Sequence, residues 1–242
     1  MGRHVQMLVG LGNPGSRYAR NRHNVGFMAI DRIASHYQLG PFRKKFNAEI
    51  ADGHIAGTRV LLLKPLTFMN RSGQAVGEAA RFHKLNTQTI TVFHDELDLP
   101  PGKIRVKRGG GHGGHNGLRD IDPVIGKDYQ RVRIGIGHPG HKDRVHGHVL
   151  GDFGKADAAW LDPLLDGMSD AIDLVLSGSP DRFMSKVAQN APVPVVQTTT
   201  PRPAAGADPL PPHPERSNPT AAATDEPAWK RALNALAGRR SP

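Results

Sequence analysis

Histidine, aspartate and asparagine side chains recur beside glycine-rich segments of this 242-residue chain. His23, Asp95, Asn13, Asn70 and Asn116 lie where strand patterns end or helix patterns begin. A histidine paired with an aspartate is the minimum set for general-base activation of water, because the carboxylate fixes the imidazole tautomer and favours the imidazolium that forms. Side-chain amides hold a substrate carbonyl or donate hydrogen bonds to a developing oxyanion. These residue types therefore predict hydrolysis by an activated water, if the fold brings them together.

The sequence lacks the residues that other hydrolytic mechanisms need. It has no cysteine, which excludes thiol nucleophiles, thiolate zinc sites and disulfides. It also has no G-x-S-x-G elbow for a serine nucleophile. Metal ligation remains an alternative, but the candidate ligands do not have the i, i+4 spacing of a helical zinc motif. Those candidates are His94, Asp95, His112 and His115. We therefore expect no metal and no other cofactor.

The segment richest in glycine is residues 108–116, RGGGHGGHN, here called the glycine run. It follows an alternating strand pattern and ends at Asn116. Glycines pack no core and lose much backbone entropy when ordered, so a mobile surface linker is one interpretation. The other is a site where backbone N–H groups and nearby polar side chains approach a ligand closely. Polar residues at other glycine-rich strand ends favour the second interpretation.

Residues 10–15, GLGNPG, formally match the G-x-G-x-x-G fingerprint of dinucleotide-binding proteins. In that fingerprint the helix begins at once, and an acidic residue closes a second strand about 20 residues later. Here Pro14 and a polar stretch come before the helix pattern, and Asp31 lies inside it. We therefore expect a tight turn that presents Asn13 at a strand end, and no nicotinamide site.

Each candidate residue also has a purely structural interpretation. His23 would cap or cover a helix start, and Asp95 would belong to a solvated turn. Asn70 would be a turn residue or cap, and Phe68 would anchor the core. Against this, Asp95 lies at the carboxyl end of an apolar strand pattern, where loops of α/β proteins build their sites.

Strand and helix patterns interleave over residues 1–190 and predict one α/β domain with helices on a mixed central β-sheet. The predicted strands are residues 5–10, 58–63, 90–93, 103–107 and 131–137. One predicted helix runs from Asn24, a candidate N-cap, to Tyr37. The others cover residues 72–83, 118–125, 156–176 and 181–189.

Residues 191–242 differ in composition from the rest of the chain. They are rich in Pro, Ala and Thr and poor in large apolar residues. Such a segment cannot bury enough surface to offset the entropy of ordering it, so we expect a disordered tail. Residues 227–240 have only a faint helical pattern.

The chain has a net charge of +10 and a pI near 10.2. This favours a polyanionic partner, with nucleic acid first and an acidic membrane surface second. Lys107 and Arg133 lie on the charged faces of the two alternating strands, where they would meet such a partner. No apolar stretch approaches a membrane span, and the apolar run at the start is too short for a secretory signal. We therefore expect a cytoplasmic protein.

Five motifs occur in one order along the chain: GLGNPG with Y…RHNVG, KPLTFMNRSG, HDELDLPPG, GGGHGGHNGLRDI and RIGIGHPG. In this combination the chain resembles bacterial peptidyl-tRNA hydrolases from about Val5 to Gln189. The resemblance implies a monomeric, metal-independent enzyme with a mixed sheet wrapped by helices. It also implies cleavage of the ester that joins a peptide to the 3′ end of tRNA, which recycles tRNA dropped from stalled ribosomes.

The resemblance also implies roles for individual residues. His23 matches the catalytic base, and Asp95 matches the group that orients it. Asn13 matches the residue that distinguishes N-blocked from free aminoacyl-tRNA, whereas Asn70 and Asn116 match substrate-binding amides. Four further residues line or neighbour the site for the terminal nucleotide and peptide, namely Tyr18, Phe68, Met69 and His115. Three match basic contacts to tRNA phosphates, namely Lys107, Arg133 and Lys142.

A non-catalytic RNA-binding protein on the same fold is the alternative function, because fold does not fix function. Organellar relatives that assist RNA splicing are a precedent for it. The presence of His23, Asp95 and Asn13 together argues for the enzyme, since binding alone does not need that set. The chain departs from the family at Asn21, where threonine is usual, and in its Pro-rich tail, which lies outside the common core.

Overall fold

A computed structural model of the chain describes residues 5–190. The disorder and the faint helix expected after residue 190 lie outside the described residues. Within these residues the strands are β1 Gln6–Gly10, β2 Arg43–Lys45, β3 Ala48–Ile55, β4 Thr58–Pro65, β5 Ile90–Glu96, β6 Ile104–Arg108 and β7 Gln130–Gly135. They form one sheet in the order β2-β3-β4-β1-β5-β7-β6. The helices are α1 Val25–His36, α2 Ser72–Phe82, α3 Asn116–Ile125, α4 Val145–Val149, α5 Ala158–Leu176 and α6 Pro180–Asn190. The predicted fold class, a mixed sheet with surrounding helices, is confirmed.

Both faces of the sheet are covered by helices, which explains why β1 is a continuous apolar run. Leu8 belongs to a core cluster with residues of α1, α5 and α6. Its neighbours Met7 and Val9 belong to a second cluster with residues of α2 and α3. All three side chains are fully buried, because successive residues of a strand point to opposite faces.

The four inner strands β4, β1, β5 and β7 are parallel. Their carboxyl ends therefore meet at one edge of the sheet, where α/β proteins bind their ligands. Asn13 follows β1, Asp95 is the penultimate residue of β5, and Asn70 follows β4. The topology thus gathers the segments whose polar residues the sequence singles out.

The glycine run also reaches the carboxyl ends of the inner strands, although it begins at their amino ends. It begins there because β6 is antiparallel to β7, so that Arg108 pairs with Gln130, the first residue of β7. The Arg131 guanidinium donates a hydrogen bond to the Gly111 carbonyl at 2.7 Å, and the end of the run brings His115 within 3.0 Å of Asp95. Four of its glycines have positive φ, a conformation that other residues rarely adopt. These are Gly109, Gly110, Gly113 and Gly114.

A close approach between backbones sets the position of α1. A Cβ atom on Gly10 would lie 2.3 Å from the Gly26 carbonyl oxygen, and one on Gly26 would lie 2.4 Å from the Phe93 carbonyl oxygen. The first turn of α1 therefore rests directly on the end of β1 and the middle of β5. This contact places His23, just before α1, next to the end of β5.

The sequence patterns miss three elements and shift the ends of others by a few residues. The edge strand β2 consists of three exposed charged residues, and α4 has only five residues, so neither carries a hydrophobic period. In β3 the buried positions do not alternate strictly. The predicted strand at 58–63 continues to Pro65, and the strand at 90–93 continues to Glu96.

Candidate active site

His23 and Asp95, which are 72 positions apart, form a buried hydrogen-bonded pair. His23 lies in the short turn Arg22–Asn24 before α1, and its Nδ1 is 2.7 Å from Asp95 Oδ1. The two residues are only 8% and 4% exposed. Burial alone would lower the pKa of His23, but the charge of Asp95 and its hydrogen bond outweigh burial, so the pKa is raised above 6.5. The pair is thus arranged to stabilise an imidazolium.

His115 is a second imidazole on the same carboxylate oxygen. Its Nε2 is 3.0 Å from Asp95 Oδ1. Its Nδ1 accepts hydrogen bonds from the backbone N–H groups of Gly117 and Leu118, at 3.1 and 3.4 Å. Because Nδ1 accepts, the ring proton is on Nε2, which donates to Asp95. His115 therefore caps α3 and holds the carboxylate at the same time.

Asp95 is an anion held by two imidazoles. Burial alone would raise its pKa, but the charge interactions and hydrogen bonds with His23 and His115 lower it well below the ordinary aspartate value. The neighbouring His94 is fully buried, and burial with the nearby His115 lowers its pKa to about 3. His94 therefore stays neutral and adds no positive charge beside the Asp95 carboxylate.

A cleft of about 430 Å³ opens over the pair, and we call it the histidine cleft. Its walls include His23, Asp95, His112, His115, Asn116, Lys142 and His146. Because His23 Nδ1 donates to Asp95, its Nε2 carries the lone pair. No hydrogen-bond partner of that Nε2 lies within residues 5–190. Of the sequence-predicted residues, the structure brings His23, Asp95, His115, Asn116 and Lys142 together here.

Asn13 is fixed by three hydrogen bonds. Its Oδ1 accepts from the Met69 N–H at 2.8 Å. Its backbone N–H donates to Asn24 Oδ1, and its carbonyl accepts from Asn24 Nδ2, both at 2.9 Å. Asn24 occupies the N-cap position of α1, as predicted, but its side chain makes no cap hydrogen bond because it binds the Asn13 backbone instead. With its oxygen engaged, Asn13 presents its Nδ2 as a donor.

The residues after β4 divide between core and surface. Met69 is 4% exposed and packs in the core, whereas Phe68 is 58% exposed and is not the core anchor of the structural interpretation. Asn70 is exposed in the turn Met69–Arg71 before α2, and Tyr18 is half-buried in the turn Ser16–Tyr18. No hydrogen bond within residues 5–190 joins Asn70 to the His23–Asp95 pair.

The predicted tRNA contacts lie on both sides of the glycine run. Lys107 and Arg133 line a smaller cleft of about 100 Å³ with His94 and Arg131, here called the arginine cleft. Arg133 is already paired, its Nε being 2.7 Å from Glu96 Oε2. Lys142 instead lines the histidine cleft, in the turn Lys142–Arg144 before α4.

Arg131 has a structural role that its position in the strand pattern does not indicate. Alternation places it on an exposed charged face with Arg133, but it is only 2% exposed. Its guanidinium binds the Gly111 carbonyl and, at 3.0 Å, Asp122 Oδ1, which also accepts from the Tyr129 hydroxyl at 2.7 Å. We call these residues the Arg131 network. Spacing along β7 carries no signal that separates a buried arginine from an exposed one.

His23, Asp95 and His115 are a possible metal-ligand group, with ligand atoms within 4.8 Å of one another. Asp95 and His115 are among the metal-ligand candidates visible in the sequence, whereas His23 is not, because three separate segments supply the group. The donor set does not fit a cation. His115 Nε2 carries a proton, since Nδ1 accepts from backbone N–H groups, and a metal needs the lone pair at that atom.

Within residues 5–190, no helix is long and apolar enough to cross a membrane.

Comparisons with known proteins bear on the resemblance noted from the motifs. The family model described as peptidyl-tRNA hydrolase matches residues 7–194. The peptidyl-tRNA hydrolase of Rhodospirillum rubrum is 64% identical over 184 residues, covering 76% of this chain and 76% of that protein. That of Dinoroseobacter shibae is 61% identical, covering 76% and 78%. The crystal structure of the Acinetobacter baumannii peptidyl-tRNA hydrolase has a TM-score of 0.74 at 43% identity, covering 79% of this chain and 98% of that one. The chain belongs to the peptidyl-tRNA hydrolase family.

Proposed function

We propose that this protein hydrolyses the ester between a peptide and the 3′ end of tRNA, with His23 as the general base. The family supports the reaction, and the buried His23–Asp95 pair is the observation that supports the mechanism. His23 donates from Nδ1 to Asp95, so its Nε2 lone pair is directed to a proton of water in the histidine cleft.

The reaction proceeds in two proton transfers. His23 Nε2 takes a proton from water as the water oxygen bonds to the ester carbonyl carbon, which gives a tetrahedral oxyanion and an imidazolium. The anionic Asp95 stabilises that imidazolium. As the carbon–oxygen bond to the ribose breaks, the imidazolium returns the proton to the 3′ oxygen, and the peptide leaves as a carboxylic acid.

Amide side chains hold the substrate in this scheme. Asn116, at the first position of α3, lines the histidine cleft and orients the attacking water or the peptide. Asn70 binds the developing oxyanion, a role that requires its exposed side chain to turn inward when substrate binds. Asn13 donates its Nδ2 to a peptide carbonyl, since Met69 holds its oxygen. Tyr18 and Phe68 contact the terminal nucleotide and peptide.

We propose that catalysis needs no metal. The protonated Nε2 of His115 opposes metal binding at the His23–Asp95–His115 group, as described above. The phosphates of tRNA are contacted by Lys107, Arg133 and Lys142, whose charges match a polyanion. Residues 1–190 form the catalytic domain, and the enzyme acts as a cytoplasmic monomer on peptidyl-tRNA released by ribosomes.

Release of N-acetylated amino acid from acylated tRNA tests the proposal. We expect turnover by the wild type with and without EDTA. His23→Ala should lower kcat about 10²–10⁴-fold while tRNA binding, measured by a filter or fluorescence assay, survives. Near-normal turnover by that variant would exclude the base, and loss of turnover in EDTA that zinc restores would indicate a metalloenzyme. Binding without any turnover by the wild type would favour the RNA-binding alternative.

A further inference from the structure

His94 is a buried histidine beside the candidate active site that the proposed mechanism does not use. It is 2% exposed and precedes Asp95 in β5. Successive side chains of a strand point to opposite faces of the sheet, so the His94 ring lies on the other face of β5 from the Asp95 carboxylate. Burying a polar ring costs free energy unless it is hydrogen-bonded. The contacts of His94 therefore indicate what this ring holds in place.

One nitrogen of His94 holds the backbone of Asp95. His94 Nδ1 is 2.7 Å from the Asp95 carbonyl oxygen, and because a carbonyl only accepts, Nδ1 carries the proton and donates. The Phe93 carbonyl, two residues before that of Asp95, accepts from the Leu11 N–H of the β1 segment at 3.0 Å. The register between β1 and β5 ends at Gly10 and Phe93, so β1 does not extend to Asp95. His94 thus binds a carbonyl that lies just beyond the end of the strand pairing.

His94 also contacts the second imidazole on the Asp95 carboxylate. The rings of His94 and His115 lie edge to face, with their centroids 5.0 Å apart and their planes at 73°. His115 in turn donates to Asp95 Oδ1. One ring therefore supports Asp95 twice, by a hydrogen bond to its backbone and by packing against the partner of its carboxylate.

His94 provides this support without adding charge. Burial, together with the nearby His115 and Arg131, lowers the pKa of His94 to about 3. Its Nε2 has no hydrogen-bond partner within residues 5–190, so Nδ1 is the nitrogen through which the ring acts. Replacing His94 by another neutral side chain changes no charge beside His23. A change in the pKa of His23 after such a replacement would therefore report a displacement of Asp95.

We propose that His94 is a positioning residue, which holds the Asp95 carboxylate against His23 through the Asp95 backbone and the His115 ring. Reacting groups need such support, because a small loss of position weakens the hydrogen bonds on which they depend. The inference rests on the proposed function, and it adds to it a residue that is buried away from the reacting atoms. The effect of His94 should therefore appear in kcat and not in KM.

Three replacements separate the hydrogen bond of His94 from the bulk of its ring. His94→Leu removes both nitrogens, His94→Gln places an amide near the position of Nε2, and His94→Asn places one near Nδ1, where it can donate to the Asp95 carbonyl. We expect the Leu and Gln variants to lower kcat about two- to tenfold, with KM unchanged. The acid limb of kcat/KM should move to lower pH in both, because a displaced Asp95 raises the pKa of His23 less. The Asn variant should lie closer to wild type in both measurements.

Ser169→Ala provides the matched control. The buried Ser169 hydroxyl donates to the Leu165 carbonyl at 3.0 Å within α5, so this variant also loses one buried hydrogen bond to a backbone carbonyl. Its kcat and acid limb should remain those of wild type. Leu and Gln variants of His94 that behave like this control would overturn the inference, as would an Asn variant no better than the Gln variant. If the Leu variant does not fold, the comparison of Asn with Gln decides.

Hydrolysis of N-acetylalanyl-tRNA by the wild type reports on the proposed function separately. If that activity is absent, NMR titration of the His23 ring in the full-length protein tests the positioning role without turnover. The pKa of His23 should be lower in the Gln variant of His94 than in the wild type, and the Asn variant should restore it. An unchanged pKa of His23 in the Gln variant would overturn the inference, and so would a wild-type His94 ring whose proton is found on Nε2.

Discussion

Asp95 and Asp122 are both buried carboxylates that accept two hydrogen bonds at one oxygen, and Asp95 binds the glycine run directly at His115 whereas Asp122 is linked to it through Arg131. Asp95 accepts from His23 and His115, whereas Asp122 accepts from the arginine and the tyrosine of the Arg131 network. Imidazoles gain and lose protons near neutral pH, but a guanidinium stays charged there and a phenol stays neutral. The same geometry therefore makes one carboxylate a partner in proton transfer and the other a fixed anchor.

The comparison shows that burial of charge is not enough to mark an active site. Both carboxylates are nearly inaccessible to solvent. Of the two networks, only that of Asp95 includes an imidazole whose second nitrogen has a free lone pair at a cleft. Variants of the two networks should accordingly fail in different ways, one in turnover and the other in folding.

The largest effect is expected from Asp95→Asn. The amide would no longer stabilise the imidazolium of His23, and it would favour the wrong tautomer of that ring. We expect kcat to fall about 10²–10⁴-fold, with little change in tRNA affinity. Single-turnover kinetics on N-acetylaminoacyl-tRNA measure the change. A kcat within threefold of wild type would remove Asp95 from the mechanism.

Arg131→Met should instead destabilise the protein. It leaves the Asp122 carboxylate buried without its cation, a change that costs about 3–5 kcal/mol in free energy of unfolding. Urea denaturation measures it, and Arg133→Met, which removes a half-exposed partner of Glu96, is the matched control with a smaller loss. Equal losses in the two variants would contradict the distinction between the buried and the surface arginine.

His115→Ala should have an intermediate effect on turnover. Loss of one hydrogen bond to a charged group costs about 1.5–3 kcal/mol, which predicts a kcat lower by about one to two orders of magnitude. Without His115, the charge of Asp95 acts on His23 alone, so the pKa of His23 should rise further. The acid limb of the kcat/KM profile should then move to higher pH. An acid limb that moves to lower pH would contradict the proposed sharing of the carboxylate.

The pH dependence of kcat/KM for the wild type tests whether Asp95 raises the pKa of His23. His23 accepts a proton only in its neutral form, and its pKa is raised above 6.5. We therefore expect kcat/KM to increase with pH through a midpoint above that value. The raised pKa also means that the His23–Asp95 ion pair stabilises the fold at low pH and loses this contribution as pH rises through the midpoint. A midpoint below 6.5 would show that burial, not Asp95, dominates the environment of His23.

The smallest effects are expected outside both networks, at the exposed lysines. Lys107→Ala and Lys142→Ala should each weaken tRNA binding and reduce the slope of log K against log salt by about one. Titration at several salt concentrations measures the slope. Lys155→Ala, an exposed lysine in the turn before α5, provides the control and should leave the slope unchanged. A salt-independent affinity would remove the lysines from the proposed interface.

The residue chemistry of the site is readable from the sequence, but its assembly is not. The polar residues at strand ends are visible because hydrophobic periodicity marks where β1 and β5 stop. Their convergence depends on the parallel order of the inner strands, which pairs residues far apart in the chain. The contact of His23 with Asp95 is therefore a prediction of the motifs taken together, and it appears in no local pattern.

The structure departs from the sequence patterns where a side chain has two possible partners. Asn24 occupies the cap position of α1, but its amide matches both the donor and the acceptor of the Asn13 backbone, and that pair of bonds prevails. Arg131 has the spacing of an exposed residue, yet Asp122 and Gly111 satisfy its guanidinium inside the protein. The edge strand β2 has no apolar residue to reveal it. Each departure concerns a tertiary partner that local spacing does not encode.

The contact of Gly26 with the backbone of Leu11 and Phe93 restricts which mutations the chain tolerates. The atoms that an added methyl would meet, at 2.4–2.6 Å, are backbone atoms of Phe93 and Leu11, which cannot swing aside as a flexible side chain would. Alanine at this position would push α1 away from the sheet, and the His23 imidazole would move away from the Asp95 carboxylate. A residue with no side chain and no substrate contact is thus expected to be as intolerant of substitution as the base itself.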